Sequence, residues 1–427
     1  MAAATGTEGR PSEFRLGWRV LLASLIGISC GASPLPFNTI GFTLAPINAE
    51  TGWSFAQISA GVLIYGVIAS LLAPVFGWLA DRYGVRPVTI VSMVLFGLAF
   101  ASFALTPSNL FVFYGIWVLV GMVGIGSTPV TFSRAISMWF FRNRGLALGI
   151  ALVGTSIAAL IVPRVTVWAI EAYGWRTMYL IVAGFPLLVA LPLILLWFRE
   201  PRPEETPQEN RTVGGQVTGV TLQAALRDRR FWTIWLSILC VALAYGGAHI
   251  HMPEIIKQHG MTAAEGAGIM GMIGIAIMAG RIITGFLLDR IWAPLVCLPI
   301  LLVPALACWL LMGTGTNQTL IYTAAFMLGF AAGAESDLIA YLASRYFGMA
   351  NYGKIYGMLY MPFGLGSAFS PVIYGWFRDT TGSYDGALTL AMGGFAVGAL
   401  LLITLGRYPV FTEPDPGPEP VPKAVPA

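Results

Sequence analysis

The chain has 427 residues, of which 57% are hydrophobic and only 10% are charged. Soluble globular proteins carry about 25% charged residues, and disordered chains are poor in apolar ones, so this composition excludes both classes. The formal net charge of +4 is too small to indicate a nucleic-acid-binding protein. Apolar runs of about 20 residues recur along the chain, each long enough to cross a lipid bilayer as a helix. The composition therefore predicts an all-α integral membrane protein.

The apolar runs predict twelve membrane spans in two sets of six. The first set comprises residues 17–47, 57–80, 87–106, 109–141, 144–168 and 176–198. The second set comprises residues 231–256, 264–288, 294–313, 318–346, 353–377 and 385–406. We expect each set to form one six-helix bundle, over residues 17–198 and 231–406.

Three polar segments lie outside the spans. Residues 1–16 precede the first span. Residues 199–230, rich in Glu, Pro, Thr, Gly and Arg, are predicted to link the two bundles. Residues 407–427 are rich in proline and are predicted to be a disordered tail.

The distribution of positive charge predicts the orientation in the membrane. With both termini placed in the cytoplasm, 18 of the 24 Lys and Arg residues lie in cytoplasmic segments or at the cytoplasmic ends of spans, and three lie in external loops or at the external end of a span. This bias agrees with the positive-inside rule. Arginine far outnumbers lysine, as is typical of GC-rich bacterial genomes, so we expect a bacterial inner-membrane protein with both termini in the cytoplasm.

The two halves of the chain repeat each other at an offset of 208 residues. The matched landmarks are Gly77–Arg82 with Gly285–Arg290, Gly145 with Gly353, Gly149 with Gly357, and Gly174 with Gly382. Each pair falls at the same place in its set of spans, which indicates a parallel duplication. Such a duplication is typical of transporters whose substrate site lies between the repeats, near the middle of the bilayer.

Two motifs carry a resemblance to a known family. The run Gly77-Trp78-Leu79-Ala80-Asp81-Arg82-Tyr83-Gly84-Val85-Arg86 resembles the signature between helices 2 and 3 of major facilitator superfamily transporters. The run from Trp139 to Gly149 is similar to the motif that leads into helix 5 of monocarboxylate porters and related organic-acid carriers. The resemblance covers about residues 17–406. It implies the major facilitator fold, with two pseudo-symmetric six-helix bundles around a central cavity, and transport by alternating access.

Two arginines inside the spans are candidates for binding a substrate anion. A charge at the centre of the bilayer costs roughly 2.5–3.5 kcal/mol on insertion scales, so each one requires a reason. Arg281 lies in the middle of span 264–288, where its planar guanidinium could bind a carboxylate with two hydrogen bonds. The alternative is a permanent ion pair with an acid on a neighbouring helix. Arg134 lies about two turns from the cytoplasmic end of its span, so its side chain could instead extend to the membrane surface.

Titratable groups in spans 231–256 and 318–346 are candidates for proton coupling. Glu335 and Asp337 are two residues apart on a helix and point about 200° away from each other, so only one is expected to face the cavity. His249 titrates near neutral pH and, with Tyr245 one turn earlier, could also form one wall of the substrate site. The alternatives are a structural acid and a histidine that packs between helices.

Two further residues are candidates for substrate contact, because irregular helix is tolerated at membrane depth mainly beside a cavity. Asn38 lies between Pro36 and Gly41 in the first span, and Tyr360 precedes Pro362 in the eleventh.

The two Asp-Arg loops are predicted to gate the transporter. An acid at the end of one helix can pair with the N-terminus of a neighbouring helix, and breaking that contact would let the halves rock apart. The alternative is simple charge anchoring at a loop. The predicted gating residues are Gly77, Asp81, Arg82, Gly84, Arg86, Asp289 and Arg290.

Together these features predict a secondary active transporter that moves a small organic anion, with a monocarboxylate as the expected substrate and a proton as the coupling ion. We expect it to act as a monomer and without a cofactor. A proton-driven exporter of amphipathic compounds is the alternative within the class, and a membrane sensor on a transporter scaffold is the alternative outside it. An enzyme is not expected, because we find no nucleophile motif, metal-ligand spacing or phosphate-binding loop.

Overall fold

The computed structural model describes residues 12–202, 204–205, 218–261, 263–313 and 317–409. These residues form helices and loops, and a single isolated β-bridge, between Gly219 and Gly348, is the one β feature among them. Nine helices in the described ranges are long and apolar enough to cross a membrane, by length and composition. The prediction of an all-α chain is confirmed for this part of the molecule.

The first half contains eight helices. They are α1 (Glu13–Ser29), α2 (Leu35–Thr51), α3 (Phe55–Tyr83), α4 (Val85–Ala101), α5 (Leu110–Gly124), α6 (Pro129–Trp139), α7 (Arg144–Gly184) and α8 (Leu191–Trp197).

Helix breaks in the first half lie within two of the predicted spans and at the boundary between two others. Span 17–47 consists of α1 and α2, which separate before Pro34 and Pro36 because proline cannot donate the backbone hydrogen bond that a continuous helix needs. Span 109–141 consists of α5 and α6, separated by a 3-10 turn at Ile125–Ser127. Between spans 144–168 and 176–198, α7 is interrupted at Gly174, whose φ of 82° and ψ of 164° are not helical, so the predicted boundary between these two spans is present in the structure.

The second half contains seven helices. They are α9 (Leu222–Arg227), α10 (Arg229–Gln258), α11 (Ala263–Leu288), α12 (Ala293–Gly313), α13 (Gln318–Phe347), α14 (Tyr352–Thr381) and α15 (Asp385–Ile403). Each of the six spans predicted here corresponds to one helix, and the short α9 lies within the predicted linker. Gly382 ends α14 with a φ of 75°, so this glycine and Gly174, its counterpart 208 residues earlier, both adopt the left-handed region.

The two halves pack together mainly along two helix pairs. Within the second half, α10 packs against α14, α11 against α13 and α12 against α15. Between the halves, α3 packs against α14 and α7 against α11. Glycine permits the close approach, since a Cβ atom on Gly357 would lie 2.5 Å from the carbonyl oxygen of Ala73.

The C-terminal end of the linker is attached to the second half. The amide of Val220 donates to the carbonyl of Phe347 at 2.9 Å, and the amide of Met349 donates to the carbonyl of Thr218 at 2.7 Å. These bonds hold the linker against the loop between α13 and α14. We call the face of the molecule that carries this linker, the end of α8 and the end of α15 the linker side. The N-terminal residues 1–11, linker residues 203 and 206–217, and the predicted tail beyond residue 409 lie outside the described residues.

Candidate functional site

A polar cluster lies on four neighbouring helices of the second half. Its members, which we call the central cluster, are Tyr245 and His249 on α10, Arg281 on α11, Glu335 on α13 and Tyr360 on α14. Arg281 and Glu335 are 7% and 5% exposed, so both charged residues are buried. The three ring side chains are half-buried, so part of each ring is accessible.

Glycines place the backbone of α13 directly beside Arg281. A Cβ atom on Gly333 would overlap the carbonyl oxygen of Ile277 and would lie 3.0 Å from the amide nitrogen of Arg281. One turn earlier, a Cβ atom on Gly329 would lie 2.9 Å from the carbonyl oxygen of Ile273. The absence of side chains at these two positions lets α11 and α13 approach closely enough for the arginine and the glutamate to share one environment.

The rings of Tyr245 and His249 form one wall of the central cluster. The tyrosine hydroxyl lies 3.1 Å from Nδ1 of the histidine, in hydrogen-bond contact, and the two rings stack with centroids 5.5 Å apart. Residues four apart on a helix face the same way, which explains the pairing.

Electrostatic interactions connect the cluster. The charged groups of Arg281 and Glu335 both interact electrostatically with the hydroxyl groups of Tyr245 and Tyr360. Tyr360 is also hydrogen-bonded to Ser33, which lies between α1 and α2, so the cluster reaches the first half of the molecule. Oε1 of Glu335 is buried and has no hydrogen-bond partner among the described residues. A buried, unsatisfied carboxyl oxygen is costly, and it is therefore suited to exchange a proton or a ligand.

Three of the residues that the sequence predicts for the site are not members of the central cluster. The side-chain amide of Asn38 donates to the carbonyl of Pro34 at 2.8 Å, a contact within its own helical turn. Arg134 lies on the linker side, where it pairs with Asp81 and, at 3.3 Å, with Glu200. The side chain of Asp337 lies outside the described residues.

On the linker side, Asp81 joins the end of α3 to the start of α14. Its two carboxylate oxygens accept hydrogen bonds from the amides of Gly353 at 2.9 Å and Lys354 at 2.8 Å. Gly77 and Gly353 lie so close together that a Cβ atom on either residue would overlap the carbonyl oxygen of the other residue. A carboxylate at a helix N-terminus is stabilised by unpaired amides and by the helix dipole. We call Asp81, Gly77, Gly353 and Lys354 the Asp81 contact.

The same arrangement recurs with the halves exchanged. Asp289, at the end of α11, accepts hydrogen bonds from the amides of Gly145 at 2.7 Å and Leu146 at 2.9 Å, at the start of α7. A Cβ atom on Gly285 would lie 2.5 Å from the carbonyl oxygen of Gly145. Burial raises the pKa of Asp289 to about 6, although the two amides and Arg144 act in the opposite direction. We call Asp289, Gly285, Gly145 and Leu146 the Asp289 contact.

The other predicted gating residues make contacts within their own halves. The guanidinium of Arg82 lies 5.6 Å from the ring centroid of Trp78, and Arg86 donates to the carbonyl of Leu195 at 2.6 Å. Gly84 separates α3 from α4 with a φ of 84°. Arg290 covers the ring of Phe286, 3.5 Å from its centroid.

The sequence analysis did not identify two acids that hold the linker side together. Glu200 accepts from Arg134 and, at 3.3 Å, from the amide of Val85. Glu13 caps the start of α7 by accepting the amides of Phe141, Arg142 and Asn143, each at 3.0 Å. Both acids lie just outside a long apolar run, and that position is the signal that could have identified them.

Comparison with known proteins identifies the architecture. The family model described as Major Facilitator Superfamily matches residues 26–371. Monocarboxylate transporter 13 of Bos taurus is 26% identical over 425 residues, covering 96% of this chain and 94% of that protein. The hexuronate transporter of Escherichia coli is 26% identical over 435 residues, covering 94% and 99%. The crystal structure of the E. coli fucose:proton symporter superposes with a TM-score of 0.69 at 17% identity, covering 93% of this chain and 100% of that one, so the two share a fold.

Proposed function

Since this chain belongs to the Major Facilitator Superfamily, we propose that it transports a small organic anion of the monocarboxylate type, by alternating access and together with a proton. The family and the fold make it a multi-pass membrane transporter rather than an enzyme. Its relatives support transport of small organic solutes, and two of them are named for carboxylates, a monocarboxylate and a hexuronate.

The buried guanidinium of Arg281 is the observation that supports an anionic substrate. A permanently charged group in the interior is stable only where negative charge or hydrogen-bond acceptors surround it. The half-buried rings of Tyr245, His249 and Tyr360 belong to the same cluster, and Tyr360 is hydrogen-bonded to Ser33 of the first half. A substrate carboxylate there could accept two parallel hydrogen bonds from the guanidinium and further ones from the phenol hydroxyls.

Glu335 supplies the proposed coupling to protons. Because it shares the environment of Arg281, an ionised Glu335 competes with the substrate carboxylate for the field of the arginine. Protonation removes this competition, so proton and substrate anion bind together. His249 and Asp337 remain candidates for the same role, and Asn38 remains a candidate for substrate contact from the first half. Arg134 is better assigned to the linker side than to the substrate.

The Asp81 and Asp289 contacts are proposed to be the gates. Both hold the linker side closed by joining an acid of one half to a helix start of the other. Rocking of residues 17–198 against residues 231–406 would break both contacts and open the central cluster to this side. Arg82, Gly84, Arg86 and Arg290 would fix the loops that carry the two acids.

The excess of Lys and Arg on the linker side supports its assignment to the cytoplasm, with both termini there and the protein in a bacterial inner membrane. A monomer is proposed as the functional unit.

Uptake into proteoliposomes that contain an internal pH dye tests this function. Addition of a transported monocarboxylate should acidify the lumen, and Arg281→Gln should reduce uptake by at least about 100-fold, since two charge-assisted hydrogen bonds are lost. Arg281→Lys, which keeps the charge but not the fork, should retain partial activity.

Arg164→Gln is the matched control, because Arg164 also lies within a span but bonds to the carbonyl of Leu160 in its own helix. It should transport at the rate of the natural protein. Unchanged uptake by a folded Arg281→Gln protein would contradict the anion site and favour an exporter of amphipathic compounds. Substrate uptake without acidification would contradict proton symport.

A further inference from the structure

A cavity lies on the linker side, away from the central cluster. It has a volume of about 720 Å³ and opens between the ends of α11, α13 and α15. Six of the residues that line it are Asp289, Arg290, Trp292, Arg345, Arg407 and Tyr408. Three arginines and one aspartate thus contribute to the lining, and the carboxylate of the aspartate already accepts two backbone amides in the Asp289 contact.

The guanidinium groups of this cavity are held mainly by rings and backbone. Arg345 lies 4.8 Å from the ring centroid of Tyr408 and interacts with its hydroxyl, while its Nε is buried without a hydrogen-bond partner among the described residues. Arg290 donates to the carbonyl of Phe286. In the described part of the chain, no carboxylate forms an ion pair with Arg290, Arg345 or Arg407.

The duplicated half shows what fills the equivalent place there. Glu200 lies 208 residues before Tyr408, and its carboxylate accepts the amide of Val85. In the second half, the hydroxyl of Tyr408 accepts the amide of Ala293, the residue 208 positions after Val85, at 2.9 Å. The backbone bond is therefore conserved between the halves, but the carboxylate is replaced by a phenol.

Between the halves the arginine changes position, because Arg134 is equivalent to Leu342 while Arg345 is new in the second half, and the acid Glu200 is lost. Ser137 occupies the position equivalent to Arg345, and the acid Glu200 pairs with Arg134 in the first half. In the second half an arginine is present and the internal acid is not. We propose that an external phosphate-type anion occupies this cavity and pairs with Arg345, as the carboxylate of Glu200 pairs with Arg134 in the first half.

Position and electrostatics both favour such a ligand. Trp292 and three arginines at the ends of helices form an amphipathic belt, and basic pockets between membrane helices on the cytoplasmic side bind lipid phosphates. Arg345 also repels Arg144, which belongs to the other half. A bound phosphate reduces this repulsion across the Asp289 contact and so stabilises the form that is closed on the linker side. The phosphate can come from a lipid headgroup or from solution.

Thermal unfolding of the full-length protein tests the site and separates the two sources. The first measurement uses inorganic phosphate in a neutral detergent, with chloride at the same ionic strength as the reference. The second uses phosphatidylcholine vesicles with and without cardiolipin. An increase of about 2 °C or more in the melting temperature with phosphate identifies a site open to soluble anions. An increase with cardiolipin alone identifies a lipid site. Either result supports the proposal.

Matched arginine variants give the decisive comparison. Arg345→Gln should weaken binding at least about tenfold, because a charge-assisted contact is lost. Arg227→Gln removes the same charge from the exposed surface of α9 and should leave the rise unchanged. Arg407→Gln serves the same purpose if Arg345→Gln does not fold. The proposal would be overturned if both cavity variants kept the increase in melting temperature. It would also be overturned if Arg227→Gln lost this increase to the same extent.

One further variant excludes an occupant from the chain itself. Glu413 lies 208 residues after Glu205, which pairs with Arg199 at 2.6 Å. If the natural protein shows no rise and Glu413→Gln shows one, the anion is the chain's own carboxylate and the proposal fails. Because these measurements require no transport, a failure of the proposed function at Arg281 would leave their result unaffected.

Discussion

The Asp81 contact and the Asp289 contact share their backbone geometry but differ in their side-chain surroundings. In both, an aspartate after one long helix accepts two consecutive amides at the start of a helix from the other half. The glycines that allow the approach are also equivalent, at an offset of 208 residues. The ion pair of the Asp81 contact has no equivalent in the Asp289 contact, since Arg134 pairs with Asp81 while the residue equivalent to Arg134 is Leu342.

This difference shows which parts of a duplicated contact are constrained by shape and which by charge. Backbone amides at a helix start are present whatever the sequence, provided that glycine leaves space for the acid to approach. The charge partner is a single side chain and can be replaced without disturbing that approach. We therefore expect the two contacts to respond alike to changes of glycine and differently to changes of aspartate.

Neutralising each aspartate should give the largest effect and the clearest difference. Asp81→Asn leaves Arg134, whose side chain is only 10% exposed, without its closest partner, and breaking a buried pair costs about 3–5 kcal/mol. Asp289→Asn weakens two hydrogen bonds to backbone amides but breaks no ion pair among the described residues, so it should cost about 1 kcal/mol. Melting temperatures in detergent measure both losses of stability.

The exposed Asp385→Asn, at the start of α15, is the control for removal of an acid and should change the melting temperature little. Equal losses for Asp81→Asn and Asp289→Asn would show that the ion pair to Arg134 adds nothing, and the asserted difference between the contacts would be wrong.

Adding one methyl group at each glycine should give a smaller effect that is the same in both contacts. A Cβ atom on Gly77 would overlap the backbone of Gly353, and one on Gly285 would overlap that of Gly145. Because backbone cannot move away as a side chain can, Gly77→Ala and Gly285→Ala should each cost about 1–3 kcal/mol. Gly393→Ala, where a Cβ atom meets nothing within 4 Å, is the control.

The same melting measurement distinguishes the outcomes. Similar losses at the two positions would support a common backbone design. A large loss of stability in Gly77→Ala with none in Gly285→Ala would mean that only the Asp81 contact stabilises the packing of the two halves, despite the symmetric geometry.

The sequence alone predicted the helical class, the family and the equivalence of the two contacts. Apolar length determines that a segment forms a helix in lipid, and the offset of 208 residues pairs Asp81 with Asp289 before any coordinates are known. Glycines with a positive φ, such as Gly174 and Gly382, mark helix ends in both halves. These features depend on residues close together in the chain or on a repeat, so they can be read from a single sequence.

Partners that are distant in the chain could not be predicted. Arg134 and Glu200 are 66 residues apart, and no local pattern indicates that the end of the first half folds back onto α6. The sequence left two alternatives for Arg134, contact with the substrate and extension to the membrane surface, and it offered no means of choosing between them. The roles of Arg281 and Glu335 stay predictions that transport assays must test.

The pH dependence of the Asp289 contact should give the smallest effect and the finest test of the comparison. In the folded protein the pKa of Asp289 is raised to about 6 by burial, with Glu13 adding to the rise and Arg144 opposing it, against an ordinary value of 3.8. The folded state therefore binds the proton more tightly than the unfolded state, and stability from this group falls as pH rises from about 4 to 6. Asp289→Asn cannot titrate, so its deficit in melting temperature relative to the natural protein should be larger at about pH 5 than at about pH 7. A deficit that grows with pH would show instead that the backbone amides outweigh burial, and the Asp289 contact would then be stabilised by its charge.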